Sequence, residues 1–143
     1  MLTRSSINDQ WRVRVADMTK KRVLVIDDAS LVRMYYRDAL ERAGFEVDEA
    51  LNGLEALEKL LAAPADLLIV DVNMPQMDGF TFLKVLRRQD IPVASVPALV
   101  TSTEAKPQDF AAARTAGANF YLVKPVAPET LVEHAALLMG VAR

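Results

Sequence analysis

Several polar side chains of this sequence come directly after short apolar runs, at positions where they could act together. Asp27 and Asp28 follow VLVI, Asp71 follows LLIV, Thr101 follows ALV, and Lys124 follows YLV. Carboxylate oxygens are ligands that Mg²⁺ prefers in proteins. A carboxylate can also act as a nucleophile toward a phosphoryl group, whose oxygens a hydroxyl and an ammonium group can stabilise. These residue types therefore predict phosphoryl chemistry at a magnesium site.

The apolar runs have the length of buried strands, and segments with helical spacing separate them. Strands are predicted over residues 23–26, 45–50, 67–70, 98–100 and 120–123. Helices are predicted over residues 30–43, 78–89, 107–117 and 128–139, and one more begins at Asn52. Five strands that alternate with five helices imply an α/β fold, a doubly wound five-stranded parallel sheet with helices on both faces.

The carboxyl ends of parallel strands meet at one edge of such a sheet, where ligands bind in open α/β folds. The polar residues that end the strands are therefore expected to converge. Neighbouring strand residues point to opposite faces, so Asp27 and Asp28 can share a site only if the first strand has begun to turn. We expect Asp28 to be a direct magnesium ligand and Asp27 a more distant one. Asp71 would add a ligand and keep its second oxygen free as a nucleophile.

Charge repulsion between these acids gives a further expectation. Without a cation, three carboxylates a few ångströms apart should raise the pKa of at least one of them. Mg²⁺ would neutralise one side of a phosphoryl group on Asp71 and Lys124 another. The hydroxyl of Thr101 would donate a hydrogen bond to a third oxygen.

Composition and charge limit the classes of protein to consider. The chain has 143 residues, of which 52% are hydrophobic and 25% are charged, as in one ordinary globular domain. No apolar run approaches the ~18 residues of a transmembrane helix. The sequence has no Cys, and its net charge of −2 does not favour binding to nucleic acid. We therefore expect a cytoplasmic protein that neither binds nucleic acid nor inserts into a membrane.

The N-terminal stretch differs from the rest of the chain. Residues 1–21 carry five basic and two acidic residues and show no clean periodicity. We expect residues 1–20 to form an extension outside the core, flexible or loosely docked. Residues 21–143 are then expected to form one domain.

The motifs VLVIDDAS, LLIVDVNMPQMDG, ALVTS and YLVKP, in this order and spacing, resemble those of response-regulator receiver domains of two-component signalling. The resemblance spans about residues 21–140 and is greatest to the CheY-like, single-domain members of the family. It implies a flavodoxin-like sheet with the strand order 2-1-3-4-5. By the same resemblance, Asp71 would be the phosphoacceptor, and Asp27 and Asp28 would be the acidic pair at the metal. The backbone carbonyl of Asn73 would be a further Mg²⁺ ligand.

The resemblance also implies which groups respond to phosphorylation. Thr101 would be the switch hydroxyl, and Lys124 would be the lysine at the phosphoryl group. Tyr121 would be the aromatic residue that swings between exposed and buried positions. The Lys124–Pro125 peptide bond is often cis in the family, so Pro125 would be a structural feature of the site.

In function, the resemblance implies a stand-alone response regulator that accepts a phosphoryl group on Asp71 from a histidine kinase or a histidine phosphotransfer protein. It would catalyse only its own phosphorylation and dephosphorylation. Phosphorylation would change a surface near the fourth helix, the fifth strand and the fifth helix, where a downstream protein docks. Chemotaxis or motility is one process that such a switch would serve.

Other functions stay open at this point. A phosphatase that forms an aspartyl-phosphate usually needs a second acid two residues after the nucleophile, where this chain has Asn73. A nucleotide- or flavin-binding module would need a Gly-rich loop after the first strand, where this chain has the acidic DDAS. A receiver could also serve as a phosphate sink in a phosphorelay, or bind partners without being phosphorylated.

Overall fold

The computed structural model of the chain describes residues 20–90 and 92–141. Its strands are β1 (Arg22–Ile26), β2 (Glu46–Ala50), β3 (Leu67–Asp71), β4 (Ala98–Ser102) and β5 (Phe120–Val123). Its helices are α1 (Ser30–Arg42), α2 (Gly53–Ala62), α3 (Gly79–Leu86), α4 (Pro107–Ala116) and α5 (Pro128–Leu138), with a 3₁₀ turn at Val93–Ser95. Except for Lys20, the extension predicted over residues 1–20 lies outside the described residues.

The strands form one sheet, in which every neighbouring pair within the described residues is parallel. Their order is β2-β1-β3-β4-β5, so β2 and β5 are the edges and β1, β3 and β4 lie between them. Each of β1 to β4 is followed by a helix that returns the chain to the start of the next strand, as parallel pairing requires, and α5 follows β5. The predicted doubly wound α/β fold and its strand order are confirmed.

The predicted bounds differ from the observed ones mainly around α3 and β4. The helix predicted to reach residue 89 ends at Leu86, because the amides of Arg88 and Gln89 bond to carbonyls three residues earlier. Such bonds tighten the last turn and end the regular helix. β4 continues two residues beyond its predicted end, so Thr101 lies within the strand.

The sheet separates two apolar layers. The layer under α1 and α5 contains the strand residues Val23, Val25, Leu67, Ile69, Leu99 and Leu122. The layer under α2, α3 and α4 contains the strand residues Leu24, Ile26, Leu68, Val70, Ala98 and Val100. This alternation sets the direction of the polar residues that continue the strands, because every second side chain points to the same face.

Two helices begin with side-chain caps. Asn52 Oδ1 accepts a hydrogen bond of 2.9 Å from the amide of Glu55, at the start of α2. Asp78 Oδ1 accepts one of 2.9 Å from the amide of Thr81, at the start of α3. Each cap satisfies an amide that has no partner within its helix and contributes about 1 kcal/mol. The predicted start of a helix at Asn52 is confirmed.

Candidate functional site

The polar residues at the strand ends converge on the side of the sheet that α1 and α5 cover. Asp27, Asp71, Thr101 and Lys124 each lie two positions after a strand residue of the α1–α5 layer. Strand alternation therefore turns all four side chains toward the same side. Asp71 and Thr101 are also register partners on the adjacent strands β3 and β4.

Lys124 links two of the acids directly. Its Nζ donates to Asp27 Oδ2 at 3.0 Å and to Asp71 Oδ1 at 3.0 Å. Burial opposes the charge of Lys124, but the hydrogen bonds and the charge attraction of both carboxylates together outweigh burial, and the pKa of Lys124 is raised. The ammonium group is therefore charged at neutral pH and compensates part of the acidic charge around it.

The surroundings of Asp71 oppose its ionisation. Burial is the largest influence on its pKa and raises it, and the negative charges of Asp27 and Asp28 raise it further. The hydrogen bond from Lys124 lowers the pKa of Asp71 but does not offset burial. The net shift is upward. A rise was predicted from repulsion between the acids, whereas burial is its largest cause and repulsion adds to it.

Three carboxylates meet at this site. One oxygen from each of Asp27, Asp28 and Asp71 lies within 4.8 Å of the other two. A divalent cation would relieve their repulsion, and the exposed position of Asp28 gives water access to the group. Mg²⁺ binds carboxylate oxygens and keeps several waters, so this donor set fits it. The three acids are therefore consistent with the magnesium site of a receiver domain.

The two neighbouring acids have different surroundings. Asp27 is buried; its Oδ1 accepts from the amide of Ala29 at 2.9 Å, and its Oδ2 accepts from Lys124. Asp28 is exposed and makes no side-chain hydrogen bond within residues 20–90 and 92–141. The oxygens of Asp28 are thus the freer ones, in agreement with the expectation that Asp28 is the direct ligand. Its coordination of Mg²⁺ stays a prediction.

Arg33 is a residue of the site that was not predicted from the sequence. Its guanidinium donates to the backbone carbonyl of Asp27 at 2.7 Å and to Glu49 Oε1 at 3.0 Å. The side chain of Arg33 is only 11% exposed. It therefore fixes the chain where β1 turns into the acidic pair. Its position on the polar side of the α1 pattern gave no signal of this contact.

Gly79, in the VNMPQMDG segment that follows Asp71, packs too closely against the backbone for a larger residue. A Cβ at this position would lie 2.3 Å from the carbonyl oxygen of Asp71, closer than real Cβ contacts. The amide of Gly79 donates to the carbonyl of Val72 at 2.9 Å, which ties the start of α3 to the end of β3. Asn73 is exposed in the loop between them, and its carbonyl as a Mg²⁺ ligand stays a prediction.

Thr101 and Tyr121 lie in different layers. Thr101 is fully buried on the α1–α5 side, and its Oγ1 has no hydrogen bond of ordinary geometry within the described residues. Tyr121 packs against the opposite layer and against the ring of Phe110, with ring centroids 4.6 Å apart. Its hydroxyl donates to the carbonyl of Glu104 at 2.8 Å, in the loop after β4. The two predicted switch residues are therefore connected through this loop.

The loop after β5 forms one wall of a cleft beside the site. The Lys124–Pro125 peptide bond is cis, as the resemblance implied. The cleft has a volume of about 620 Å³ and lies between this loop and the first two turns of α1. Leu31, Tyr35 and Tyr36 line it from α1, and Lys124 and Pro125 line it from the loop. Lys124 can thus be reached from solvent through this cleft, whose walls are mainly apolar.

The fold and the site together define a class of protein. Residues 23–136 match the family model described as Response regulator receiver domain, and the chain belongs to this family. Within the family it is CheY-like. Among the described helices, none has both the length and the apolar character that crossing a membrane requires.

Known relatives agree with this membership. The chain is 39% identical over 121 residues to chemotaxis protein CheY1 of Helicobacter pylori, and the match covers 83% of this chain and 97% of that protein. It is 43% identical over 106 residues to the protein-glutamate methylesterase/protein-glutamine glutaminase of Archaeoglobus fulgidus, covering 73% of this chain but only 30% of that protein.

Solved structures show the same fold. The crystallised chemotaxis protein CheY4 of Vibrio cholerae is 38% identical, with a TM-score of 0.79, and the match covers 84% of this chain and 99% of that one. The receiver domain of Francisella response regulator 1452 is 26% identical, with a TM-score of 0.79, and the match covers 85% of this chain and 98% of that one.

Proposed function

We propose that this receiver is a phosphorylation switch in which Asp71 accepts a phosphoryl group from a histidine kinase or a histidine phosphotransfer protein, with Mg²⁺ required. The observation that carries the proposal is the environment of the Asp71 carboxylate. Lys124 binds Oδ1 at 3.0 Å, and Asp27 and Asp28 lie beside it. Asp71 Oδ2 makes no hydrogen bond within the described residues, so one oxygen is free to act as a nucleophile.

In the transfer, a carboxylate oxygen of Asp71 forms a bond to phosphorus while the bond from phosphorus to the donor's imidazole nitrogen breaks. The electron pair of the broken bond stays on that nitrogen. Bound Mg²⁺, held by the three acids, would neutralise charge on the phosphoryl oxygens. Lys124 is already positioned beside Asp71 with its charge in place, so it can compensate negative charge without reorganisation.

The response of the surface is proposed to begin at Thr101. Its hydroxyl has no ordinary hydrogen bond to any of the described residues, and a phosphoryl oxygen on the adjacent Asp71 would be a strong acceptor for it. Movement at the end of β4 would shift the loop that contains Glu104, whose carbonyl accepts from Tyr121. Tyr121 would then change its packing against Phe110 on α4. A downstream protein is proposed to dock on this surface of α4, β5 and α5.

The similarity to chemotaxis proteins of two bacteria supports chemotaxis as the process served, in the cytoplasm, with a docked protein as the receiver of the signal. Neither nucleic acid nor membrane insertion enters this proposal. Turnover of external phosphate esters is not favoured. Asn73, two residues after Asp71, has a neutral side chain that cannot act as a general acid or base.

Phosphorylation of the purified chain by a small phosphodonor such as acetyl phosphate tests the proposal. Intact-mass spectrometry should show one added phosphoryl group with Mg²⁺ and none with a chelator. Asp71→Asn should abolish the mass shift. Asp38→Asn, which changes an exposed acid on α1, should leave it unchanged. Equal labelling of Asp71→Asn and the unaltered chain would refute Asp71 as the phosphoacceptor.

A further inference from the structure

Arg33 joins the turn that carries the acidic pair to the neighbouring strand β2. Its Nη1 donates to the backbone carbonyl of Asp27 at 2.7 Å, and its Nε donates to Glu49 Oε1 at 3.0 Å. Only 11% of the Arg33 side chain is exposed. A planar guanidinium holds two acceptors in a fixed geometry, which a single ammonium group does not. The contact is therefore a rigid bridge between β2 and the end of β1.

The carbonyl that Arg33 binds also influences the direction of Asp28. It belongs to the peptide plane between Asp27 and Asp28, and such a plane moves as one unit. A fixed carbonyl oxygen therefore limits rotation of the backbone that leads into Asp28. Asp28 is exposed, and its side chain makes no hydrogen bond among residues 20–90 and 92–141. The backbone is thus what orients its carboxylate.

The other polar groups of Asp27 have partners of their own. Its amide donates to the carbonyl of Ala50 at 3.1 Å, at the end of β2. Its Oδ1 accepts from the amide of Ala29 at 2.9 Å, and its Oδ2 accepts from Lys124 at 3.0 Å. Arg33 supplies the partner of the carbonyl, which is the remaining polar group. Asp27 is thus held through all of its polar groups, and Arg33 completes this set of contacts.

We propose that Arg33 is a positioning residue of the Mg²⁺ site, which fixes the Asp27 carbonyl and so directs the Asp28 carboxylate toward the other acids before the cation binds. This inference rests on the proposed function, in which Mg²⁺ binds these acids. A ligand that must become ordered on binding loses conformational entropy, and a fixed backbone reduces that cost. Arg33 therefore increases the affinity for Mg²⁺, although its own charge repels a cation.

Charge and positioning predict changes of opposite sign when Arg33 is replaced by a neutral residue. By charge alone, removal of a cation near the acids should tighten Mg²⁺ binding. Loss of positioning should weaken it, since groups that orient metal ligands typically contribute about tenfold to a hundredfold in affinity. The direction of the change therefore separates the two effects.

Arg37 provides the matched control. It lies one turn farther along α1 and also pairs with Glu49, at 2.9 Å. In either Arg33→Met or Arg37→Met, the other arginine still pairs with Glu49. Mg²⁺ is titrated into each protein while the amide resonance of Gly79 is followed by NMR. Arg33→Met should bind Mg²⁺ about tenfold more weakly than the unaltered chain. Arg37→Met should bind it as tightly as the unaltered chain or slightly more tightly.

The mobility of Asp28 gives a second measurement that needs no metal. In ¹⁵N relaxation experiments without Mg²⁺, the amide order parameter of Asp28 should fall in Arg33→Met, from about 0.85 toward about 0.6. It should stay unchanged in Arg37→Met. If Arg33→Met does not fold, Arg33→Lys keeps the charge and much of the apolar stem. Its single ammonium group does not span both acceptors, so Mg²⁺ binding should still weaken at least about threefold.

The possible results have distinct meanings. Unchanged or tighter Mg²⁺ binding by the folded Arg33 variant would overturn the role of Arg33 and leave that of Asp71 intact, and a lower Tm with unchanged affinity would do the same. Equal weakening in Arg37→Met would assign the effect to the ion pairs of Glu49 and would also overturn it. If the unaltered chain bound no Mg²⁺, the proposed function would fail, and this inference would fail with it.

Discussion

Lys124 Nζ lies 3.0 Å from Asp71 Oδ1, although β5 and β3 are not neighbours in the sheet. The lysine side chain extends across the end of β4, where Thr101 lies, and also reaches Asp27 at 3.0 Å. One cation therefore holds together acids from two other strands. It occupies the position where negative charge would accumulate on phosphorylation, so its removal should affect both stability and chemistry.

Lys124→Met should destabilise the fold at neutral pH by about 2 kcal/mol, because two buried carboxylates lose a charged hydrogen-bond donor. The folded pKa of Lys124 is raised. Its contribution is therefore fully present below its unfolded pKa and is lost as pH rises through the folded value. Urea unfolding without Mg²⁺ measures the difference. Lys84→Met, at an exposed position on α3, is the control and should be near neutral. Equal stability of the two variants would contradict this role.

Asp71→Asn should increase stability in the absence of Mg²⁺, by about 1 kcal/mol at neutral pH. The folded pKa of Asp71 is raised, chiefly by burial, so its ionised form disfavours the folded state. This cost is absent at pH values below the unfolded pKa and fully present above the folded one. The advantage of Asp71→Asn should therefore grow as pH rises from acid to neutral in thermal unfolding experiments. A variant less stable than the unaltered chain at pH 7 would show that pairing with Lys124 outweighs burial.

Gly79→Ala should destabilise the fold by about 1–3 kcal/mol, because the new methyl group would meet the backbone of Asp71, which cannot move without distorting β3. Gly53→Ala is the comparison. There the nearest atom is the flexible Met77 Sδ, at 2.8 Å, and a smaller loss is expected. Chemical unfolding measures both, and phosphorylation of Gly79→Ala should also slow. Equal losses of stability in Gly79→Ala and Gly53→Ala would contradict the claim that the backbone of Asp71 leaves no room for a methyl group at position 79.

Thr101→Ala should still accept phosphate on Asp71 but lose most of the phosphate-dependent gain in partner binding. The reason is that the Thr101 hydroxyl would link the phosphoryl group to the loop after β4, in which the carbonyl of Glu104 accepts a hydrogen bond from Tyr121. Tyr121→Trp supplies a fluorescence reporter of this loop. Its response to beryllofluoride with Mg²⁺ should be blunted when Thr101→Ala is added. A full response in the double variant would mean that the signal travels by another route.

Much of the architecture could be predicted because periodicity reports burial directly. The runs that end at Asp27 and Asp71 have only apolar residues, which identifies central strands. Gly44 lies just past the end of one predicted helix, and Gly117 is the last residue of another. Both glycines have positive φ, which favours glycine at a helix end. The end of α3 was predicted too late, because the change to i→i−3 bonds near Arg88 depends on tertiary packing and leaves no local pattern.

The site was predictable to the extent that parallel strands bring their ends together. Asp27, Asp71 and Lys124 follow apolar runs, so the topology alone was sufficient to place them at one edge. Arg33 comes from the helix that covers this edge, and its contacts depend on how α1 packs on the sheet. The sequence therefore did not distinguish Arg33 from its neighbours.

The most direct test of the central claim is to identify the phosphorylated residue chemically. The chain is phosphorylated with Mg²⁺, reduced with borohydride to convert an aspartyl-phosphate into homoserine, and analysed by peptide mass spectrometry. The account predicts homoserine at position 71 alone, and none when Mg²⁺ is chelated. Homoserine at another aspartate, or none despite a phosphoryl mass shift, would contradict it.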